Sequence, residues 1–405
     1  MKQNIKTYIY GIITGVGLML AVFFIYSLYD HNTRWDGRTN PAVKVQKIFD
    51  ILESRSIMPF NRHEMLNSMY RGLLDGMEDP YTRFLDAETL AAFTERTEGA
   101  YSGIGVQVLV NPYDLSISVS TAFSGSPAQY AGMLPGDVFV RVDDVNVLGK
   151  PLEELIALIR GPIDTPVTIT VYRPLESEHI DFHIVRSRIE VPTVFHDVFI
   201  QDNKTIGFIR LEGFERVSLN QFNSALDELI ESEIQGLIID VRNNPGGQLG
   251  AVNGIADRIL PEGIITFVQD NAGNREYHRS RPGALDLPIV MVVNGRSASA
   301  SELLAAAVRD LSEGLIIGTQ TFGKGTVQQQ ANLPDNTAII VTIAEYFTPG
   351  GESIHGVGIT PDIIIDLDEV LQRRIGHLEL SEDVQLQAAL DALAEKIRTL
   401  QHYED

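Results

Sequence analysis

Between Thr7 and Tyr29 the chain carries no charged residue and is dense in Ile, Leu, Val, Phe and Tyr. About 20 apolar residues cross a bilayer as a helix, so this run predicts an N-terminal transmembrane helix. Lys2 and Lys6 precede it and Asp30 follows. The excess of positive charge on the near side then places the amino terminus in the cytoplasm. A single-pass anchor in the inner membrane is expected, with everything after about residue 30 on the extracytoplasmic, periplasmic side. The alternative, a cleaved signal peptide, calls for small residues where FFIYSLYD stands. Gly11 and Gly15 form a GxxxG pair suited to the packing of two such helices.

Residues 31–40 are polar and read as a linker. From Pro41 to about Thr97 apolar residues recur at helical spacing, as in Val45, Ile48, Phe49 and Leu52, then Met65, Met69 and Leu73. The Asp79-Pro80 step breaks that pattern. From Gly103 to about Arg188 the texture changes to short β-rich runs (GVQVLV, LSISVS, DVFVRV, PVTITVY, HIDFHIV) around one helix, Leu152 to Arg160. From Thr193 to about Ile365, strands such as IGFIRL, GLIIDV, PIVMVV and AIIVTI alternate with amphipathic helices. This is the pattern of an α/β layer whose strands are buried on both faces. Residues 381–400 are again helical, with Leu386, Leu390, Leu393 and Ile397 on one side. The expected division is 1–30 anchor, 31–97 linker and helical segment, 98–188 β-rich domain, 189–380 α/β core and 381–405 C-terminal helix. The apolar stripes of 41–97 and 381–400 must bury against the core or a second subunit, and a homodimer is the expectation.

At 405 residues, 44% hydrophobic and 21% charged, the composition is that of a folded chain of two or three domains. With 32 basic and 54 acidic residues the formal net charge is −22, which argues against nucleic acid as a partner. There is no cysteine, so disulfides, thiolate metal sites and cysteine nucleophiles are excluded. No His-Glu-x-x-His run appears, and neither a metal nor another cofactor is expected. His179 and His183 lie on one face of a strand and read as solvated.

The densest chemical signal is VMVVNGRSASASELLAAAVRD, residues 290–310. A buried strand enters a turn at Gly295 and then an alanine-rich helix, with Ser297, Ser299 and Ser301 at the junction. A nucleophilic serine suits this placement, exposed on a tight turn beside free N–H groups. Ser299-Ala-Ser-Glu302 is equally an ordinary capping box. In TFGKGTVQQ, Lys324 lies between Gly323 and Gly325, with Gln328 four residues on. Gly318 to Lys324 fits G-x-x-x-x-G-K, but Gly325 stands where a nucleotide-binding loop needs Ser or Thr. Lys324 reads either as a surface lysine on a glycine turn or as a buried general base. His355 is the competing base. VRNNPGGQL, residues 241–249, makes a tight turn able to supply an oxyanion donor, or simply joins a strand to a helix. In YSGIGVQV, the turn Gly103-Ile104-Gly105-Val106 either cradles a peptide's free carboxylate while the peptide pairs with a strand edge, or is simply a glycine turn before a strand.

Taken together, EDPYTRFLD, YSGIGVQV through GSPAQYAGMLPGDVFVRVDD, VRNNPGGQL, SASASELLAAAVRD, FGKGTVQQ and IHGVGITPD resemble the carboxyl-terminal processing (tail-specific) proteases. The resemblance covers nearly all the chain beyond residue 30. It implies a PDZ domain on a ClpP/crotonase-like core and serine endopeptidase activity near substrate C-termini. It further implies Ser299 as nucleophile, Lys324 as base, Gln328 orienting that base, and the N–H groups of Ala300 and Gly246, with Gly247 close behind, as the oxyanion hole. Asp310 corresponds to a structural acidic position. Expected partners are peptides with free C-termini held at Gly103 to Val106, and an adaptor or activator protein, with Arg160 as a gating candidate. The other reading is a non-catalytic PDZ scaffold, which would not need Ser299, Lys324 and Gln328.

Overall fold

The computed structural model describes residues 15–26, 40–283 and 285–404. The chain divides into two units, Met1–Glu78 and Asp79–Asp405, each described by itself.

In the first unit, α1 covers residues 15–26. Among the described residues no helix is long and apolar enough to cross a membrane. The expectations of a transmembrane helix and of single-pass inner-membrane placement are corrected accordingly. The rest of that apolar run, Gly11 included, lies outside the described residues. After it come α2 (Pro41–Arg55) and α3 (Arg62–Asp75). Both start on asparagine caps: Asn40 accepts from the Ala42 N–H, and Asn61 from those of His63 and Glu64. Phe49 is buried between the stacked ring of Phe60 and the Arg62 guanidinium, 4.3 Å above it. Ile48 and Leu73, read as part of an apolar face, are exposed.

The second unit opens with β1 (Arg83–Leu85), α4 (Ala87–Glu98) and β2 (Ala100–Gly103). EDPYTRFLD is therefore turn and strand: α3 has already ended at Asp75, and Asp79 builds a local turn. The β-rich domain follows as β3 (Val106–Val110), β4 (Ile117–Ala122), α5 (Pro127–Ala131), β5 (Val138–Val142), β6 (Val145–Asn146), α6 (Leu152–Ile159), β7 (Pro166–Arg173) and β8 (Glu178–Val185). Its sheet runs β3-β4-β5-β7-β8, with β6 on β5, around Ile104, Val119, Phe139, Leu155 and Ile169. Helix α5 is one more than the pattern predicted. Its five residues are too short for a period to register, yet it has a Ser126 cap, Pro127 in its first turn and left-handed Gly132 at its end. Strand β9 (Ser187–Glu190) pairs back on β2 and closes the domain at its neck.

Beyond it lie β10 (Val194–Gln201), β11 (Lys204–Leu211), α7 (Ser218–Glu231), β12 (Gly236–Asp240), α8 (Leu249–Ile259), β13 (Gly263–Asp270), β14 (Arg275–Ser280), β15 (Ile289–Val293) and α9 (Ala300–Ser312). Then follow β16 (Leu315–Gly318), β17 (Thr326–Leu333), β18 (Thr337–Phe347), β19 (Ile363–Ile364), α10 (Glu369–Gln372) and α11 (Val384–Glu404). The main sheet runs β10-β11-β12-β15-β16-β19, parallel except at β10. Every residue of β12 and β15 is buried, because both faces are covered. Leu237, Ile239, Met291 and Val293 meet α7, α8 and α9, while Ile238, Val290 and Val292 meet Leu386, Leu390, Leu393 and Ile397 of α11. The C-terminal stripe is thus spent within its own chain. AIIVTI belongs to a second, antiparallel sheet, β1-β18-β13-β14 with β17 on β18. Burial of β18 is interrupted along its length, as suits a strand with one face toward water.

One buried ion network joins α11 to the end of β12. The Arg242 guanidinium, 1% exposed, donates to Asp240 at 2.7 and 2.9 Å and to both carboxylate oxygens of Asp383 at 2.8 Å. These carboxylates hold Arg242 charged, against the cost of its burial. Arg242→Ala leaves two buried carboxylates without their cation and is expected to cost about 3–5 kcal/mol, read as a lower urea midpoint. A loss under about 1 kcal/mol would mean that water reaches the network.

Candidate active site

Strand β15 delivers the chain to Gly295, and α9 begins at Ala300, so Ser297 and Ser299 fall on the turn between them and Ser301 in the first turn of the helix. They are not equivalent. The Ser297 hydroxyl donates to the Val241 carbonyl at 2.8 Å and accepts from the Asn294 N–H, while that of Ser301 donates to the Asn244 carbonyl at 2.9 Å. Both are fully buried and stitch this turn to the 241–247 loop. Ser299 is half-buried and sits at φ 59°, ψ −116°, a strained backbone for a residue with a side chain. Its side chain lies within hydrogen-bonding reach of the buried Tyr346 hydroxyl. Burial pushes that phenol far up, so it stays a neutral donor, and it donates to the Lys324 carbonyl.

Glu302 fixes the strained turn. Its fully buried carboxylate accepts from the Ser299 N–H at 2.8 Å and, on the same oxygen, from the Lys324 N–H at 2.9 Å. The other oxygen accepts from the Gly323 N–H at 2.7 Å and the Thr321 hydroxyl at 2.6 Å. One side chain thereby binds the SASAS turn to the FGKG loop. Gly325 packs so closely on His355 that a Cβ would lie 2.6 Å from the His355 N. His355 itself is exposed, and its ring makes no hydrogen bond among the described residues.

Lys324 is half-buried. Burial, with the nearby Arg83 charge, lowers its pKa below the ordinary lysine value, against the pull of Asp79 and Glu302. Among the described residues its ammonium makes no hydrogen bond; it stands over the Tyr81 ring, 4.6 Å from the centroid. Gln328 is not joined to Lys324. Its amide donates to the Thr326 hydroxyl at 2.9 Å and to that of Thr342 at 3.4 Å.

The 244–247 turn lies against Ser299. Gly246 adopts φ 98°, and a Cβ there would lie 2.7 Å from both the Ala298 oxygen and the Ser299 Cβ, so only glycine fits. Its N–H is taken by the Asn244 side chain at 2.9 Å. Among the described residues the N–H groups of Gly247 and Ala300 have no protein acceptor. Asp310 pairs with Arg309 at 2.8 Å, near the far end of α9. No group of acidic or histidine side chains fit to hold a metal occurs among the described residues.

In the β-rich domain, Gly103 pairs with Ser187, the Ile104 carbonyl accepts from Ala128, and the Gly105 carbonyl accepts from Phe123. Gly105 has φ 81°, and Val106 enters β3 opposite Ala122. Arg160 bonds Glu95 of α4 at 2.5 Å and lies 5.1 Å over the Tyr101 ring. Four site residues escaped the sequence reading. Glu302 appeared only as a capping partner and Tyr81 only as a letter of EDPYTRFLD. Asn244 and Tyr346 carried no signal of their own.

The profile of peptidase family S41 matches residues 205–365, and that of the PDZ domain residues 119–173. A carboxyl-terminal-processing protease of Synechocystis is 34% identical over 83% of this chain and 78% of its own. The carboxy-terminal processing protease CtpB of Bacillus subtilis is 30% identical over 85% of this chain and 71% of its own. A putative S41 protease of Bacteroides fragilis, solved by crystallography, is 14% identical and shares the fold, with a TM-score of 0.51 over 84% of this chain and 93% of its own. With its serine-bearing turn, its α/β core and its PDZ domain, this chain belongs to the carboxyl-terminal processing proteases, the serine peptidases of family S41.

Proposed function

We propose that this protease cleaves proteins near their C-termini with Ser299 as nucleophile and Lys324 as general base. The observation that carries the reading is the contrast among the serines: Ser297 and Ser301 are buried and bonded to backbone carbonyls, while Ser299 is reachable and strained. Neutral Lys324 takes the Ser299 hydroxyl proton as the oxygen attacks a peptide carbonyl. The Ala300 N–H and the Gly246–Gly247 turn hold the oxyanion, each donor typically worth about 3 kcal/mol. Gly247 supports this role with an uncommitted N–H, whereas Gly246 would first have to leave Asn244. Lys324 returns the proton to the leaving amine, and water releases the acyl group. Gln328 orients the lysine once its bonds to Thr326 and Thr342 are exchanged. The PDZ domain takes the substrate's carboxylate at Gly103 to Val106, and Arg160, bonded to α4, links that domain to the rest of the protease as a gate. A homodimer rests on the exposed apolar residues of α2 and α3 alone, since those of α11 are covered within the chain.

Ser299→Ala is expected to lower kcat/KM at least about a thousandfold with stability nearly unchanged. Ser297→Ala and Ser301→Ala keep most activity and lose about 1–2 kcal/mol of stability, since each empties a buried hydrogen bond. Lys324→Arg is as inactive as Lys324→Ala, because a guanidinium keeps its proton, and His355→Ala remains active. Activity is lost as pH falls through the Lys324 pKa, at a midpoint below that of an ordinary lysine. Peptidase assays across pH check all of these, and an active Ser299→Ala enzyme would overturn the assignment.

A peptide with a free apolar C-terminus is expected to accelerate cleavage of a separate substrate, and its C-terminal amide to have no effect. Equal stimulation by both would remove the carboxylate cradle from the mechanism.

A further inference from the structure

The turn at residues 79–82 does more than start a strand. Asp79 accepts from the Tyr81 N–H at 3.0 Å and from the Thr82 hydroxyl at 2.6 Å, and the Thr82 hydroxyl in turn accepts from the Thr342 N–H at 3.1 Å. Pairing of β1 with β18 then fixes the turn beside the FGKG loop. Desolvation would raise the Asp79 pKa, but bonds from Thr82, Tyr81 and Thr342 hold it below the usual carboxylate value, so the turn is anchored by an anion. The result is a half-buried aromatic face under the Lys324 ammonium. Gln328 meets the same turn through Thr342, whose hydroxyl accepts from Gln328 and whose N–H donates to the Thr82 hydroxyl. Both side chains meant to serve Ser299 are therefore engaged from one side by one turn.

We propose that Tyr81 is a resting seat for the base: its ring holds the charged Lys324 side chain off the Ser299 hydroxyl and releases it when the amine loses its proton. The inference rests on the reading of Lys324 as general base, and Tyr81 acts through the lysine as a positioning residue. A ring face attracts an ammonium and not a neutral amine, so the seat favours the charged, idle form. The other charged and titratable groups facing Lys324 are Asp79 and Arg83 beside Tyr81, Glu302 on α9 and Tyr346 on β18. Asp79 and Glu302 favour the ammonium and Arg83 opposes it. Tyr346 is a neutral phenol bonded to the Lys324 carbonyl and adds no charge. What the ring contributes is thus separable from the charges by changing the ring alone.

The test is competitive acetylation of the full-length chain with trace acetic anhydride across pH, with Lys324 modification read by peptide mass spectrometry, alongside the pH profile of kcat/KM. In Tyr81→Leu the Lys324 titration midpoint is expected to fall by about one pH unit, with the acid limb of activity moving by the same amount, while Tyr81→Phe matches the native protein. Tyr81→Met, which fills space without a π face, repeats the comparison if the leucine form fails to fold. An unchanged or higher midpoint in Tyr81→Leu overturns the seat, as does an equal shift in Tyr81→Phe or a shift in labelling without one in activity. Failure of the base reading is distinct: it would show as cleavage by Lys324→Ala, whatever the labelling of the Tyr81 variants.

Discussion

The carboxylate of Glu302 has no access to water, yet four donors converge on it: the N–H groups of Ser299, Gly323 and Lys324 and the hydroxyl of Thr321. A buried charge is tolerable only when so completely bonded. The donors of the FGKG loop lie 19 to 22 residues beyond Glu302 in sequence, and this one side chain binds them to the Ser299 turn. The strained φ of Ser299 persists because its N–H is clamped from below by Glu302 and its neighbours Ser297 and Ser301 are pinned to the 241–244 backbone. Rigidity at the backbone leaves the freedom of the site in two side chains, Lys324 and Gln328, and neither is bonded to Ser299 in this arrangement.

How far the sequence foretold this depended on range. Buried strands such as GLIID and IVMVV were legible because they are apolar runs closed only by Asp240, and α11 because its stripe from Leu386 to Ile397 is regular over about three turns. The turns around Ser299, Lys324 and Gly246 were legible too, since glycine marks turns, but the roles of those residues came only from the resemblance to the processing proteases. AIIVTI misled: its composition suits a central parallel strand, and only the β17–β18 hairpin, with its partners β1 and β13, assigns it to the second sheet. Tyr81 and Tyr346 were out of reach for another reason. An aromatic residue in a turn or a half-buried strand has no local signature; Tyr81 is placed by the pairing of β1 with β18, and Tyr346 by the pairing of β13 with β18 and its N–H bond to the Gly325 carbonyl. The N-terminal run was legible as hydropathy alone, and among the described residues no helix is long and apolar enough to cross a membrane.

The PDZ domain is tied to the rest of the protease by short-range contacts around α4. Glu95 bonds Arg160, Glu98 bonds Arg216 at 3.0 Å, and Gln248 reaches the Thr97 carbonyl at 2.8 Å. Exposed ion pairs of this kind contribute little stability singly. They also break cheaply, as the gate proposed at Arg160 requires. Gln248 directly follows the Gly246–Gly247 turn, so α4 touches both the domain with Arg160 and the loop beside Ser299.

The central assignment, a serine made nucleophilic by a lysine, is tested most directly by covalent labelling with a fluorophosphonate, followed by peptide mass spectrometry. The expected result is a single phosphonylated residue, Ser299, with labelling lost in Lys324→Ala and retained in His355→Ala. An adduct on Ser297 or Ser301, or labelling that survives Lys324→Ala, would contradict it.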